Sequence, residues 1–87
     1  MTVLPPNGMN LYYFHIRDGH TILDEVGSLL PNMAAVKTKA LTVTSELIGS
    51  PRSAHWGATP WRLWVTEGPN GEGKTLLTLD VLAQAVA

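Results

Sequence analysis

Gly68-Pro69-Asn70-Gly71-Glu72-Gly73-Lys74-Thr75 spells G-x-x-x-x-G-K-S/T. At that spacing a glycine-rich loop can turn its amides toward phosphates, with a lysine on the outer phosphates and a hydroxyl on Mg²⁺. Nucleotide binding through residues 68–75 is thus the first chemistry to weigh. The preceding run, residues 61–66, suits the strand that such a loop follows. What comes after does not. Twelve residues follow Thr75, too few for the parallel strand whose acidic end positions the magnesium. Leu76-Leu77-Thr78-Leu79 reads as a returning strand rather than the first turn of a helix. Glycines that simply reverse the chain close an antiparallel hairpin and need no crossover. The match is therefore read as coincidental.

Other chemical groups are thinly spread. His15, His20 and His55 with Asp18, Asp24 and Glu25 fit no recognised metal-ligand spacing, so no metal site is expected. The serines lack a nucleophile-elbow setting such as G-x-S-x-G. Asp24 and Glu25 are adjacent, so on an extended strand they point to opposite faces and cannot work as a paired acid and base. No cysteine is present, which excludes disulfides, thiolate metal sites and a cysteine nucleophile. No catalytic residue, cofactor or metal is expected, and the reading is of a protein that is not an enzyme.

Aromatic residues are the remaining candidates. Tyr12, Tyr13 and Phe14 could stack bases on a sheet, but the RNA-recognition strand signature and a cationic flank are missing. Cross-strand packing is the expected use. Tyr13 and His15 share the less apolar face of their strand, and Trp64 faces away from Trp61, Leu63 and Val65. Tyr13, His15 and Trp64 are accordingly the candidate interaction surface, since an aromatic beside apolar neighbours suits a partner contact.

The elements that would position these groups follow from patterning. Residues 1–8 hold two prolines and a glycine without periodicity and read as a flexible arm before a single domain over 9–87. Residues 11–16 are dense in aromatic and aliphatic side chains, a strand whose better core face is Tyr12, Phe14 and Ile16. Arg17-Asp18-Gly19-His20 is a turn, residues 21–23 return as a second strand, and residues 24–28 form an irregular exit. Asn32 caps a helix whose apolar stripe is Met33, Val36, Ala40, Val43 and Leu47, widened by Leu41 and Ile48. Gly49 and Pro51 stop it. Residues 50–60, with Trp56, are a loop. Residues 61–66 alternate as a half-buried strand, residues 67–73 are a wide turn, residues 75–79 a further strand, and residues 81–87 a short terminal helix or frayed end. The order β-β-α-β-β, with that extra helix, predicts an α+β domain: a small antiparallel sheet with one main helix on one face.

Eighty-seven residues with 45% hydrophobic side chains support one modest core. A chain of this size buries only roughly 60–65% of its unfolded surface, so a homodimer is expected. Six Lys/Arg against seven Asp/Glu give a net charge of −1, which lacks the cation surplus of sequence-independent nucleic-acid binding. No run approaches the roughly 20 apolar residues of a membrane span. The first ten residues carry no secretory pattern, so a cytoplasmic location is the expectation.

Tyr13-Phe14-His15-Ile16-Arg17-Asp18-Gly19, then Asp24-Glu25-Val26-Gly27, then Leu30-Pro31 before an Ala-containing helix, resembles a family of small bacterial proteins filed as domain of unknown function 6894. Val65-Thr66-Glu67 and Leu76-Leu77-Thr78-Leu79 look like that family's closing hairpin and strand. The likeness covers residues 9–87. It implies a start at Met9, with residues 1–8 an extension, and a hairpin turn where the phosphate-loop string lies. It brings no catalytic residue, cofactor or partner. A looser, architectural similarity is to HicB-type antitoxins, which implies a regulator that binds a small toxin or RNA. The expected function is an interaction module that self-associates, with an unidentified protein partner as the further expectation.

Overall fold

The computed structural model describes residues 8–48 and 61–82. Its elements are β1 (Asn10–Arg17), β2 (Thr21–Ile22), β3 (Ser28–Leu30), α1 (Met33–Ile48), β4 (Trp61–Thr66) and β5 (Thr75–Val81). The fold is α+β: one helix and a five-stranded antiparallel sheet in the order β2-β1-β4-β5, with β3 also on β1. Gly49, Pro51, His55, Trp56, the loop expected over 50–60 and most of the proposed arm and terminal helix lie outside the described residues.

The helix follows its stripe. Asn32 Oδ1 accepts the Ala35 N–H at 3.0 Å, satisfying a first-turn donor that has no partner within the helix. Val36 and Ala40 are buried, and Met33, Val43 and Leu47 pack against the same core. Leu41, expected to widen the stripe, is 60% exposed instead. It lines a groove with Lys37, Ala40, Leu77 and Leu79 instead of closing the core.

The sheet side of the core comes from strand alternation. Register places Phe14 opposite Val65 and Ile16 opposite Leu63, then Val65 opposite Leu77 and Leu63 opposite Leu79. One face of three strands is thereby apolar and meets α1. Trp61, Leu63 and Val65 are almost wholly buried there. At about 25 cal/mol per Å² of apolar surface, such side chains supply most of the folding drive. Among the described residues, the Thr44 hydroxyl and the Trp61 indole N–H are buried without a hydrogen-bond partner.

Two details depart from the sequence reading. Ser28–Leu30, where that reading ends the irregular exit at Ser28 and assigns no element to Leu29 and Leu30, is a strand, with Tyr12 opposite Ser28 and Asn10 opposite Leu30. Val81, expected to open a short terminal helix or a frayed end, instead ends β5 opposite Trp61. In both cases pairing with a neighbour, and not local pattern, sets the conformation.

β2 and β3 share one edge of β1. β2 pairs with Ile16 and Arg17, β3 with residues 10–12, and the chain leaves the sheet between them. The gap exposes the Phe14 N–H, which Asp24 Oδ2 accepts at 3.1 Å. A side chain thus stands in for a missing strand.

Residues 67–74 join β4 to β5. Glu67 N–H donates to the Lys74 carbonyl, Gly68 N–H to the Glu72 carbonyl and Glu72 N–H to the Pro69 carbonyl, all at 2.9–3.0 Å. A single 3-10 turn spans Pro69–Gly71, with Asn70 at φ 58°. β5 then runs antiparallel to β4, with a bulge where Leu76 is the extra residue between Leu77 and Thr75.

Candidate functional site

The phosphate-loop string is a hairpin. The Gly68 and Glu72 amides are bonded within the loop, and that of Asn70 donates to the Asp24 carbonyl at 2.9 Å. A strand, not a helix, begins at Thr75. Phosphate cradles of the helix-opening kind need free amides at a helix N-terminus, and these residues are arranged otherwise.

Above the sheet face remote from α1, the turn at residues 23–27 and the hairpin loop close over the middle of β1. His15 is fully buried there. Its Nδ1 accepts the Asp24 N–H at 3.0 Å. Because that nitrogen accepts, the ring proton lies on Nε2, which donates to Thr66 Oγ1 at 2.7 Å. The Thr66 hydroxyl in turn donates to the Gly68 carbonyl at 2.7 Å. One continuous chain of donors therefore ties the turn, β1, β4 and the loop together. Burial disfavours the imidazolium and holds the His15 pKa below its ordinary 6.5, although the nearby Asp24 carboxylate pulls the other way. With both nitrogens engaged, the ring is a structural link rather than a free base or ligand.

Asp24 organises the turn. Oδ1 accepts the Val26 and Gly27 N–H groups at 2.9 and 3.0 Å, while Oδ2 serves Phe14. Burial alone would raise its pKa, but hydrogen bonds from the backbone of Gly27, Phe14 and Val26, with the His15 charge, outweigh it and hold the carboxyl below 3.8. Gly27 completes the turn at φ 80°, and a Cβ there would lie 2.9 Å from Tyr13 Cε2. Gly27→Ala is thus both strained and overpacked, and should lower stability by about 2 kcal/mol. The urea midpoint of the variant, with an unchanged slope, is the check.

Of the three residues expected to form an interaction surface, Tyr13 and His15 are buried within the chain. Strand alternation assigns them to the face away from the helix, but it does not reveal that a turn and a loop cover that face. Trp64 is half-buried. It lies in the open part of the same face, its ring 5.2 Å from that of His15. The Arg17 guanidinium carbon is 5.6 Å from the indole centroid. Arg62 faces Asp80 across β4 and β5 and grips it through Nε and Nη2 at 2.6 and 3.0 Å. This bonding holds the Asp80 carboxyl below its usual range. Trp64, Arg17, Arg62, Thr75 and Thr78 line one recess.

Sequence reasoning missed Thr66, Arg17, Arg62 and Asp80. Asp24-Glu25-Val26-Gly27 did carry a signal: an Asp followed after two residues by Gly is the pattern of a side-chain-capped turn. Among the described residues no group of three His, Asp or Glu side chains is placed to hold a metal. None of the described helices is long and apolar enough to cross a membrane.

A family model described as a domain of unknown function (DUF6894) matches residues 11–83. The chain belongs to that family. Apart from Asn10 at the start of β1, the match spans every strand and the helix of this DUF6894 domain, including the Asp24 turn and the hairpin loop. No curated protein and no solved structure matches the chain.

Proposed function

We propose that this DUF6894 protein is a non-enzymatic interaction module that self-associates, with β5 of one copy laid against β5 of another. The open edge supports this reading. β5 ends the strand order, with β4 on one side and, among the described residues, no strand on the other. An unpaired edge is a template for another strand unless lysine, proline or a strong twist blocks it. Between Leu76 and Val81 there is neither lysine nor proline, and the one charge, Asp80, is held by Arg62.

Beside this edge Leu77 and Leu79 with Ala40 and Leu41 of α1 line a groove of about 210 Å³, apolar but for Lys37 of the helix. A second copy suits both features. Two identical strands run antiparallel about a two-fold axis, so each supplies what the other lacks and the sheet continues through the interface. The same contact covers the exposed Leu41 twice. Because a small domain leaves much of its surface unburied, this added burial also stabilises the fold.

Leu41→Lys tests the reading without touching the core. Light scattering after gel filtration should give a dimer for wild type and a monomer for the variant, with matching circular dichroism. A wild-type protein that stays monomeric at its highest soluble concentration sinks the proposal.

A further inference from the structure

On the sheet face away from α1, strands β1, β4 and β5 bring Arg17, Trp64, Arg62, Thr75 and Thr78 around a recess of about 290 Å³. We infer that this recess binds a phosphorylated nucleoside, free or within a single strand, with the base against the Trp64 indole and the phosphate at Arg17 and Arg62.

The lining carries two guanidiniums, two hydroxyls and an indole, and none of its five side chains is acidic. Guanidinium and hydroxyl donors match phosphate oxygens. An aromatic ring on an open sheet face is the usual platform for an unstacked base, and arginine adds a second planar surface. Arg17 already lies against the indole at 5.6 Å, so the ring accepts a planar cation in the free protein.

The platform is rigid. Trp64 rests beside His15, whose ring is fixed by hydrogen bonds at both nitrogens. A ring braced in this way loses little freedom when a ligand stacks on it. Thr75 reaches the recess from the start of β5, so the hydroxyl of the G-x-x-x-x-G-K-S/T string contributes here without phosphate-loop geometry.

Charge sets the scale of the ligand. Two guanidiniums and the Asp80 carboxylate sum to a local +1, on a chain whose net charge is −1. That suits one or two phosphates rather than a long backbone track, which needs many cations. Asp80 engages Nε and Nη2 of Arg62, so it competes with a phosphate for the same side chain.

This competition supplies a gain-of-function test. Tryptophan emission is followed while AMP, a single-stranded oligouridylate, inorganic phosphate or phosphotyrosine is titrated into the full chain. AMP or the oligouridylate should quench it. AMP as the better ligand identifies a free nucleotide, and the oligouridylate as the better ligand identifies a strand. Arg17→Ala should weaken binding on the order of tenfold, and Asp80→Asn should strengthen it. Both residues are exposed, and circular dichroism verifies that each variant folds. Titration calorimetry on Trp64→Leu should show the same loss as Arg17→Ala. The inference is overturned by no response to either nucleotide, by equal affinity in Arg17→Ala, or by a response confined to phosphotyrosine or inorganic phosphate.

Discussion

Asp24→Ala is expected to lower the unfolding free energy by about 3 kcal/mol, since each hydrogen bond to a charged acceptor is worth roughly 1.5–3 kcal/mol. Three backbone donors lose their acceptor together: Phe14, Val26 and Gly27. The Val26 group is exposed and water can replace the carboxylate there. The Phe14 N–H is in the gap between β2 and β3, where no strand can take over, and the Gly27 donor is partly enclosed. A loss of that size is a large part of the stability of a small domain, and it should lower Tm by roughly 12–24 °C. Asp24→Asn, which keeps one acceptor oxygen, should fall between wild type and alanine. Urea unfolding at neutral pH measures all three. A loss below about 1 kcal/mol for alanine would mean that water serves these donors as well as the carboxylate does.

Acidification is expected to lower the stability of this protein in two steps, and His15 drives the first. In the folded chain its pKa lies below 6.5, the value regained on unfolding. Above pH 6.5 both states hold a neutral ring and the full stability is present. As pH falls below 6.5 the unfolded chain takes up the proton first, so stability is lost until pH passes the folded pKa. The slope in that window is bounded by about 1.4 kcal/mol per pH unit, the limit for one proton. The mechanism is local: a second ring proton would sit on Nδ1, facing the Asp24 N–H that it now accepts.

Asp24 produces the second step. Its folded pKa is also lowered, from 3.8, so its contribution is present above 3.8 and disappears as pH falls through the folded value. His15→Gln removes the first step and leaves the second. Urea midpoints taken from pH 7.5 down to 5 should slope for wild type and run flatter for His15→Gln. Parallel curves would assign the pH dependence to another group.

These sites differ in how far the sequence displays them. The helix was readable because the 3-and-4 spacing of Met33, Val36, Ala40, Val43 and Leu47 is local, as is the Asn32 cap. β4 was readable from the alternation of Trp61, Leu63 and Val65. The hairpin over residues 67–73 was readable because its glycines precede a second alternating run. Ser28–Leu30 was not, since three residues carry no period and become a strand only by pairing with residues 10–12. Neither was the burial of Tyr13 and His15, because alternation names a face and is silent about what lies over it.

The amino-acid order alone determined the α+β class, the helix with its buried stripe, the reversing glycines after Thr66 and the membership signalled by the Tyr13–Gly19 and Asp24–Gly27 strings. These depend on neighbours a few residues apart. The tertiary structure alone decided that His15 becomes a locked internal link, that Asp24 replaces a missing strand, that β5 ends the strand order among the described residues, and that Arg17, Trp64, Arg62 and Thr78 meet in one recess. Those outcomes depend on strand register, which brings together side chains as far apart as Arg17 and Thr78, and no local spacing encodes that distance.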